Sequence, residues 1–180
     1  MKLLYAPWRS GYVASTARTK REEALQQECD FCMEFTEKNN EKNFILKRFP
    51  HSVVMLNRYP YNAGHLLILP LEHSSTIDEL PFETQAELMW LIGKSDTIVR
   101  EALGAEGVNI GINMGKAAGA GIPAHVHIHV LPRWTGDTNF LVTLSATKTI
   151  SYDLHTIYKR LKAAFDKLEL RIQGHIKNDG

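Results

Sequence analysis

The feature that most constrains the fold is a seven-residue segment, 125–131, in which histidine alternates with aliphatic residues (HVHIHVL). Because alternate side chains of a β-strand point to the same face, this segment predicts a strand with three imidazoles on one face and an aliphatic face toward the core. The imidazoles are His125, His127 and His129. At the rise of a strand, successive members stand roughly 6–7 Å apart. The segment therefore needs a groove on one side and a hydrophobic core on the other.

Three interpretations of these imidazoles are open from the residues alone. A histidine is most often a surface or core side chain with its hydrogen bonds satisfied, although three in register beside a glycine-rich stretch are unusual in that role. Imidazole is also the commonest metal ligand, which favours a three-histidine metal site. A neutral imidazole is a good nucleophile near pH 7, which favours phosphoryl or nucleotidyl transfer through a covalent intermediate.

Hydrophobic periodicity outlines the other elements. Residues 82–103 have apolar side chains at three- and four-residue spacing and predict a helix that ends at Gly104. Residues 153–170 predict a second amphipathic helix, and residues 14–28 a short exposed helix or arm. Short apolar runs predict a hairpin split by Pro50 and strands over 65–70, 108–114, 125–131 and 140–144. This order predicts an α+β domain with a mostly antiparallel sheet of about five strands and two main helices.

Composition limits the class of protein. The chain has 180 residues, of which 44% are hydrophobic and 23% charged, as in an ordinary globular domain. Lys and Arg total 21 against 20 Asp and Glu, so the net charge of +1 gives no general electrostatic basis for binding nucleic acid or a membrane surface. No apolar run approaches the roughly 20 residues of a membrane helix, and the N-terminal MKLLYAPWRSGYV does not resemble a secretory signal. We expect a cytoplasmic protein that binds neither nucleic acid nor membrane.

Cys29 and Cys32 are the only cysteines in the sequence. Their C-x-x-C spacing is that of half a tetrahedral zinc site, which needs two further ligands from elsewhere in the chain. The same spacing occurs in redox pairs, although nothing around it resembles the βαβ context of a thioredoxin. Two ordinary reduced thiols are the third interpretation.

Several segments together carry a family resemblance. The run HVHIHVL, followed by Pro132 and Arg133, resembles the signature of the histidine-triad (HIT) superfamily. Residues 56–70 (LNRYPYNAGHLLILP) look like the other half of that family's nucleotide site, and residues 111–121 (GINMGKAAGAG) match its glycine-rich approach to the triad. The segments PRWTGDTNF (132–140) and YAPWR (5–9) are similar to the bacterial diadenosine tetraphosphate phosphorylase-like branch, which includes HIT family hydrolases.

The resemblance covers residues 5–165, nearly the whole chain. It implies a HIT-like α+β fold and a single domain over 1–180, with a core at 40–170 and an N-terminal arm at 1–35 that carries the C-x-x-C. It also implies a homodimer.

The resemblance assigns catalytic roles to particular residues. His127, the middle histidine, would attack the α-phosphorus of a nucleotide and form a nucleotidyl-histidine intermediate. His129 would contact phosphate oxygens and hold His127 in the right tautomer, and His65 matches the family's fourth histidine. Asn113 matches an amide that donates to a non-bridging phosphate oxygen, and Asn57 a residue that hydrogen-bonds the ribose. Structural roles at strand ends are the alternative for both asparagines and for His65.

One segment departs from the family pattern. Relatives that act on dinucleotides have a Ser, Thr or Gln just before the triad, where it reaches the leaving phosphate, whereas residues 119–124 here read GAGIPA. No side chain in this segment can donate a hydrogen bond. The backbone N–H groups of Gly119, Ala120 and Gly121, with those of residue 122, remain as a phosphate nest, and His125 is the adjacent substrate-binding candidate. The leaving-group preference therefore stays open.

A second resemblance supplies the two missing metal ligands. Residues 71–80 (LEHSSTIDEL) look like the segment of galactose-1-phosphate uridylyltransferases that provides a zinc-binding histidine, and in those relatives the first histidine of the active-site strand is another ligand. Carried over, the site is Cys29, Cys32, His73 and His125. A closed site of two cysteines and two histidines has no open coordination position, so the expected Zn²⁺ is structural.

The expected function is nucleotidyl hydrolysis or transfer on adenine dinucleotide polyphosphates through His127. Diadenosine tetraphosphate phosphorylase or hydrolase is the favoured form, and no organic cofactor is expected. The alternatives are an adenosine phosphoramidase and a non-catalytic nucleotide-binding signalling module. A metal-storage or redox protein is a third class.

Overall fold

The computed structural model describes residues 29–140, Leu144 and residues 153–170. A short helix, α1 (Asp30–Thr36), is followed by three strands, a long helix, two further strands and a C-terminal helix. These are β1 (Ile45–Arg48), β2 (Ser52–Leu56), β3 (Leu66–Pro70), α2 (Phe82–Leu103), β4 (Gly107–Ile112), β5 (Ile128–Arg133) and α3 (Leu154–Asp166). A single 3₁₀ turn, Lys116–Ala118, lies in the loop between β4 and β5.

The five strands form one antiparallel sheet in the order β1-β2-β3-β5-β4. Strand β5, which carries the last triad histidine, lies between β3 and β4, and β4 forms an edge. This arrangement confirms the predicted α+β class, the mostly antiparallel sheet and the two main helices. Among the described residues, no helix combines the length and apolar character needed to cross a membrane.

The two long helices begin and end where local signals place them. Helix α2 ends at Gly104, which adopts a left-handed conformation (φ 68°) and donates its N–H to the carbonyl of Arg100. Helix α3 begins after Asp153, whose carboxylate accepts the N–H of Thr156 as an N-cap. The predicted helix over 82–103 is confirmed, and the predicted helix over 153–170 ends four residues earlier, at Asp166.

Apolar side chains cover both faces of the sheet. On one face, α2 and α3 pack through Leu91, Val99 and Leu161 against strand residues such as Val54 and Ile68. On the opposite face a smaller cluster contains a residue of α1 and alternate residues of the first three strands: Phe31, Ile45, Val53, Met55, Leu67 and Leu69. The sheet is therefore a middle layer, and α1 lies on the face opposite the long helices.

Two strand predictions differ from the structure by more than two residues at an end. The strand predicted over 125–131 begins only at Ile128, because the N–H groups of His125 and Val126 donate to loop carbonyls, those of Ile122 and Ser74. The strand predicted over 140–144 is wrong at its two described ends, since Phe140 and Leu144 have helical conformation. Residues 141–143 lie outside the described residues, as do residues 1–28, which include the predicted 14–28 segment.

Candidate active site and metal centre

The middle histidine of the triad has a defined tautomer. Nδ1 of His127 lies 2.8 Å from the carbonyl oxygen of His125. A carbonyl only accepts, so the proton is on Nδ1, and Nε2 keeps its lone pair. Burial lowers the pKa of His127, which is 6% exposed, and the carbonyl contact offsets this only in part. The neutral form, which is the nucleophilic one, is therefore favoured at neutral pH.

A second hydrogen-bonded chain fixes the tautomers of His65 and His129. The backbone N–H of Tyr61 donates to Nδ1 of His65 at 3.1 Å, so His65 carries its proton on Nε2. That Nε2 lies 2.9 Å from Nδ1 of His129, which must then accept. His129 consequently presents an N–H at Nε2. Its ring lies 5.0 Å from that of His127, so the site combines a nucleophilic nitrogen with a nearby donor.

The first histidine of the triad belongs to a different cluster. Cys29, Cys32, His73 and His125 each offer one ligand atom, and these atoms lie within 4.8 Å of one another. Nδ1 of His125 is 3.4 Å from the sulfur of Cys29 and 3.6 Å from that of Cys32, and Nδ1 of His73 is 3.4 Å from the sulfur of Cys32. Sulfur and nitrogen ligands of a tetrahedral zinc ion stand roughly 3.5 Å apart at ordinary bond lengths.

The tautomer of His125 also suits a metal ion, whereas the Cys32 thiol must lose its proton to bind one. Nε2 of His125 donates to the carbonyl of Pro70 at 2.9 Å, so its Nδ1 lone pair points to the sulfurs. Burial, reinforced by the neighbouring Cys29, raises the pKa of the Cys32 thiol to about 11. A cation bound there would offset both effects by stabilising the thiolate. The four residues predicted as ligands therefore form a group that fits Zn²⁺, which as a structural ion would cross-link the start of α1 to the segments after β3 and before β5.

The predicted asparagines lie beside these histidines. Nδ2 of Asn57 is 3.3 Å from Nδ1 of His65, and its Oδ1 accepts the N–H of Tyr59. Asn113 directly follows Ile112, which pairs with Ile128 across the sheet, so the register sets Asn113 opposite the segment that carries His127. Both are half-buried. Their roles toward ribose and phosphate stay predictions.

Two backbone amides of the predicted phosphate nest already donate to carbonyls of the same loop. In the loop before the triad, the N–H of Gly119 donates to the carbonyl of Lys116 at 3.1 Å, and that of Ala120 to the carbonyl of Gly115 at 3.3 Å. These two amides close the 3₁₀ turn. Their binding of phosphate, with Gly121, requires the turn to open and stays a prediction.

Two aromatic residues of the site were missed by sequence reasoning. Tyr61 stacks on His129, with ring centroids 5.8 Å apart and planes 21° from parallel. Phe31, between the two cysteines, lies 5.3 Å from the His127 ring. The four-residue spacing of Phe31 and Phe35 directly after Cys29 is a helical signal that could have indicated α1.

Comparison with known proteins places the chain in a family. A family model described as HIT domain matches residues 37–136, more than half of the chain. An AP-4-A phosphorylase from Mycobacterium tuberculosis is 30% identical over 150 residues, which cover 83% of this chain and 77% of that protein. An asymmetrical bis(5'-nucleosyl)-tetraphosphatase from Schizosaccharomyces pombe is 30% identical over 93 residues, which are 52% of this chain and 50% of that protein.

A solved structure of a histidine triad family protein has a similar fold. The crystal structure of a Zn-bound histidine triad family protein from Mycobacterium smegmatis superimposes with a TM-score of 0.62 and 28% identity, and covers 77% of this chain and 94% of that chain. The order of strands, the row of histidines and these similarities agree with the resemblance found in the sequence. The chain belongs to the HIT domain family.

Proposed function

We propose that this protein is a nucleotidyl hydrolase or transferase that acts on adenine dinucleotide polyphosphates through a covalent intermediate on His127. The observation that carries this proposal is the pair of tautomers in the site. His127 keeps a lone pair on Nε2, and His129, 5.0 Å away between ring centroids, carries its proton on Nε2. A nucleophile beside a proton donor is what cleavage of a phosphoanhydride requires.

The reaction proceeds in two steps. Nε2 of His127 attacks the α-phosphorus, a nitrogen–phosphorus bond forms, and the bond from that phosphorus to the bridging oxygen breaks. The leaving polyphosphate takes the electron pair, and the N–H of His129 stabilises the charge that develops on phosphate oxygen. In the second step an acceptor oxygen attacks the same phosphorus, and the nitrogen–phosphorus bond breaks with its electron pair returning to Nε2 of His127. The nucleotide is released, and when water is the acceptor its extra proton passes to solvent. The carbonyl of His125 stabilises the positive charge on the His127 ring in the intermediate.

The favoured substrate is diadenosine tetraphosphate. If inorganic phosphate is the acceptor, the products are ADP and ATP; if water is the acceptor, they are AMP and ATP. The similarity over 83% of the chain to a protein named AP-4-A phosphorylase supports phosphate as the acceptor.

An adenosine phosphoramidase is the second candidate. The observation in its favour is the run 119–124, which lacks a side-chain donor for a leaving phosphate. A small amine leaving group would need only a proton, which His129 can supply through its Nε2–H.

The proposal includes one structural Zn²⁺ per chain, held by Cys29, Cys32, His73 and His125. Its support is the spacing of the four ligand atoms and the Zn-bound state named for the Mycobacterium smegmatis relative. A homodimer is also part of the proposal. Strand β4 pairs with β5 alone among the described strands, and its Ile110 is 46% exposed, so this edge offers backbone groups and apolar surface for a second copy.

The decisive experiment is incubation with diadenosine tetraphosphate, with and without phosphate, followed by mass spectrometry of the products. ADP and ATP formed only with phosphate identify a phosphorylase, whereas AMP and ATP without phosphate identify a hydrolase. A His127→Asn variant is the control, and it should bind nucleotide but lose turnover by at least about a thousandfold, since it removes the nucleophile. Unchanged turnover in that variant would refute the role of His127.

A further inference from the structure

Helix α1 lies against the histidines of the active site. Its Phe31 is 7% exposed and packs on two of them, with ring centroids 5.3 Å from His127 and 5.7 Å from His125. The next aromatic residue of the helix, Phe35, lies 5.7 Å from His125. Of the two phenylalanines, only Phe31 has its ring against the nucleophile in the described structure.

Both ends of α1 are attached to other parts of the protein. At its start, the sulfurs of Cys29 and Cys32 contact His125 and His73, as described above. At its end, Arg48 of β1 donates to two main-chain carbonyls, that of Phe35 at 2.8 Å and that of Glu37 at 3.1 Å. Its third contact is a donation to the side chain of Asn40. Because α1 is fixed at both ends, the Phe31 ring has a defined place beside His127.

The His127 ring needs such a neighbour. Among the described residues its ring has one hydrogen bond, from Nδ1 to the carbonyl of His125, which holds only one edge of the imidazole. A half-turn about the bond to the ring would exchange nitrogen for carbon at that edge and move Nε2 away from its attacking position. Contact with a rigid ring restricts this rotation, because the imidazole must pass through a perpendicular orientation for which a close-packed interior leaves no space. An aliphatic side chain in its place leaves the imidazole more freedom.

We propose that Phe31 is a positioning residue, which holds the His127 ring in the orientation that keeps Nε2 toward the phosphorus. This inference rests on the proposed function, since it assigns the purpose of the contact to nucleophilic attack. It also gives the cysteine cluster a role in the reaction. The residues that bind the structural metal fix the two ends of a four-residue segment, 29–32, and Phe31 lies within it.

The test compares two matched variants of α1, Phe31→Leu and Phe35→Leu, in the zinc-loaded full chain. Both replace a ring of the same helix with a leucine side chain, at a buried position for Phe31 and a half-buried one for Phe35, but only the first removes the contact with His127. We expect Phe31→Leu to lower kcat about tenfold with KM within twofold, and Phe35→Leu to change either by less than twofold. Zinc content and melting temperature are measured for both, and Phe31→Met replaces Phe31→Leu if that variant loses zinc.

A second readout does not depend on turnover. In protein labelled with ¹⁵N-histidine, long-range nitrogen–proton spectra report the tautomer and ring exchange of His127. We expect one Nδ1–H form in the wild type and in Phe35→Leu, and broadened or doubled His127 signals in Phe31→Leu. If no dinucleotide is turned over by the wild type, the proposed function fails while these spectra still test the contact. Identical His127 spectra in all three proteins, or an equal loss of kcat in both variants, would overturn the proposal.

Discussion

The turn that precedes His65 provides a quantitative test of the fold around the site. Gly64 adopts φ +71°, and a Cβ added there would lie 2.5 Å from Cδ1 of Leu103 and 3.4 Å from Cγ of Pro132. Gly104 has nearly the same backbone angle, φ +68°, but a Cβ added there would meet nothing within 4 Å. The two glycines therefore share the same conformational requirement, and only Gly64 adds a steric one.

The two costs can be separated. A left-handed conformation costs an alanine about 1–2 kcal/mol at either position. At Gly64 the end of the Leu103 side chain must also move off its rotamer, which adds about 0.5–1.5 kcal/mol. We expect Gly64→Ala to lower the free energy of unfolding by about 1.5–3.5 kcal/mol and Gly104→Ala by about 1–2 kcal/mol. For a domain of this size, 1 kcal/mol corresponds to roughly 2–4 °C in melting temperature.

The assay is chemical denaturation of the zinc-loaded protein, followed by circular dichroism, with thermal melts as a second measure. A double-mutant cycle with Leu103→Ala isolates the steric part. If Leu103 is the obstacle, the double variant should recover about 1 kcal/mol relative to the sum of the single changes. Equal losses at Gly64 and Gly104, or strictly additive effects in the cycle, would refute the steric argument.

Three further predictions concern other contacts. Glu87→Ala should lower the free energy of unfolding by about 2–4 kcal/mol in denaturant titrations, because the buried Glu87 side chain accepts hydrogen bonds from the His51 N–H and the Ser52 hydroxyl of the first hairpin turn. Glu87→Gln should lower it by less. A chelator that removes zinc should lower the melting temperature by roughly 5–11 °C, relative to protein in free zinc at 100 times the Kd of the site for zinc. The melting temperature of Cys29→Ser should not change with the chelator. Arg48→Met should speed hydrogen exchange in α1 while β2 and β3 stay protected, because Arg48 donates to the carbonyls of Phe35 and Glu37 at the end of that helix. Thermal melts with metal analysis check the zinc prediction, and hydrogen-exchange mass spectrometry checks the Arg48 prediction. An unchanged melting temperature would contradict the first, and an unchanged exchange rate in α1 would contradict the second.

The sequence predicts the elements whose signals are local. Both long helices have a regular apolar spacing, and Gly104 ends α2 through a conformation that glycine adopts at little cost. The four residues of the cysteine–histidine cluster were identified because a C-x-x-C pair and a resemblance supplied all four, and the structure brings them together. In contrast, α1 has only seven residues, so the four-residue spacing of Phe31 and Phe35 is its one periodic signal and was missed.

The start of β5 could not be predicted because it depends on hydrogen-bond partners far away in the chain. The alternation of histidine and aliphatic residues continues through 125–131, but the N–H of Val126 donates to Ser74, 52 positions earlier. Such a choice between strand and loop partners is decided by tertiary structure. The same holds for Arg48, whose sequence neighbours give no sign that it binds the end of α1.

Main-chain groups, rather than acidic side chains, set the protons of the first two triad histidines. The carbonyl of Pro70, at the end of β3, accepts from Nε2 of His125 and leaves the Nδ1 lone pair toward the cysteine sulfurs. The carbonyl of His125 accepts from Nδ1 of His127 and leaves the lone pair on Nε2, the proposed nucleophile. His125 and His127, two residues apart, thus present different ring nitrogens, because a carbonyl accepts from Nε2 of the first and from Nδ1 of the second.

The tautomer of the third triad histidine, His129, depends on the turn before β3. The N–H of Tyr61 determines the tautomer of His65, and His65 in turn determines that of His129. The turn closes through the N–H of His65, which donates to the carbonyl of Asn62, and Gly64 supplies the positive φ that this requires. Gly64→Ala should therefore lower kcat as well as stability although every side chain that touches substrate is still present. Gly104→Ala, which lies at the end of α2, should lower stability alone, and a loss of kcat in both variants would show that turnover follows global stability instead of the geometry of this turn.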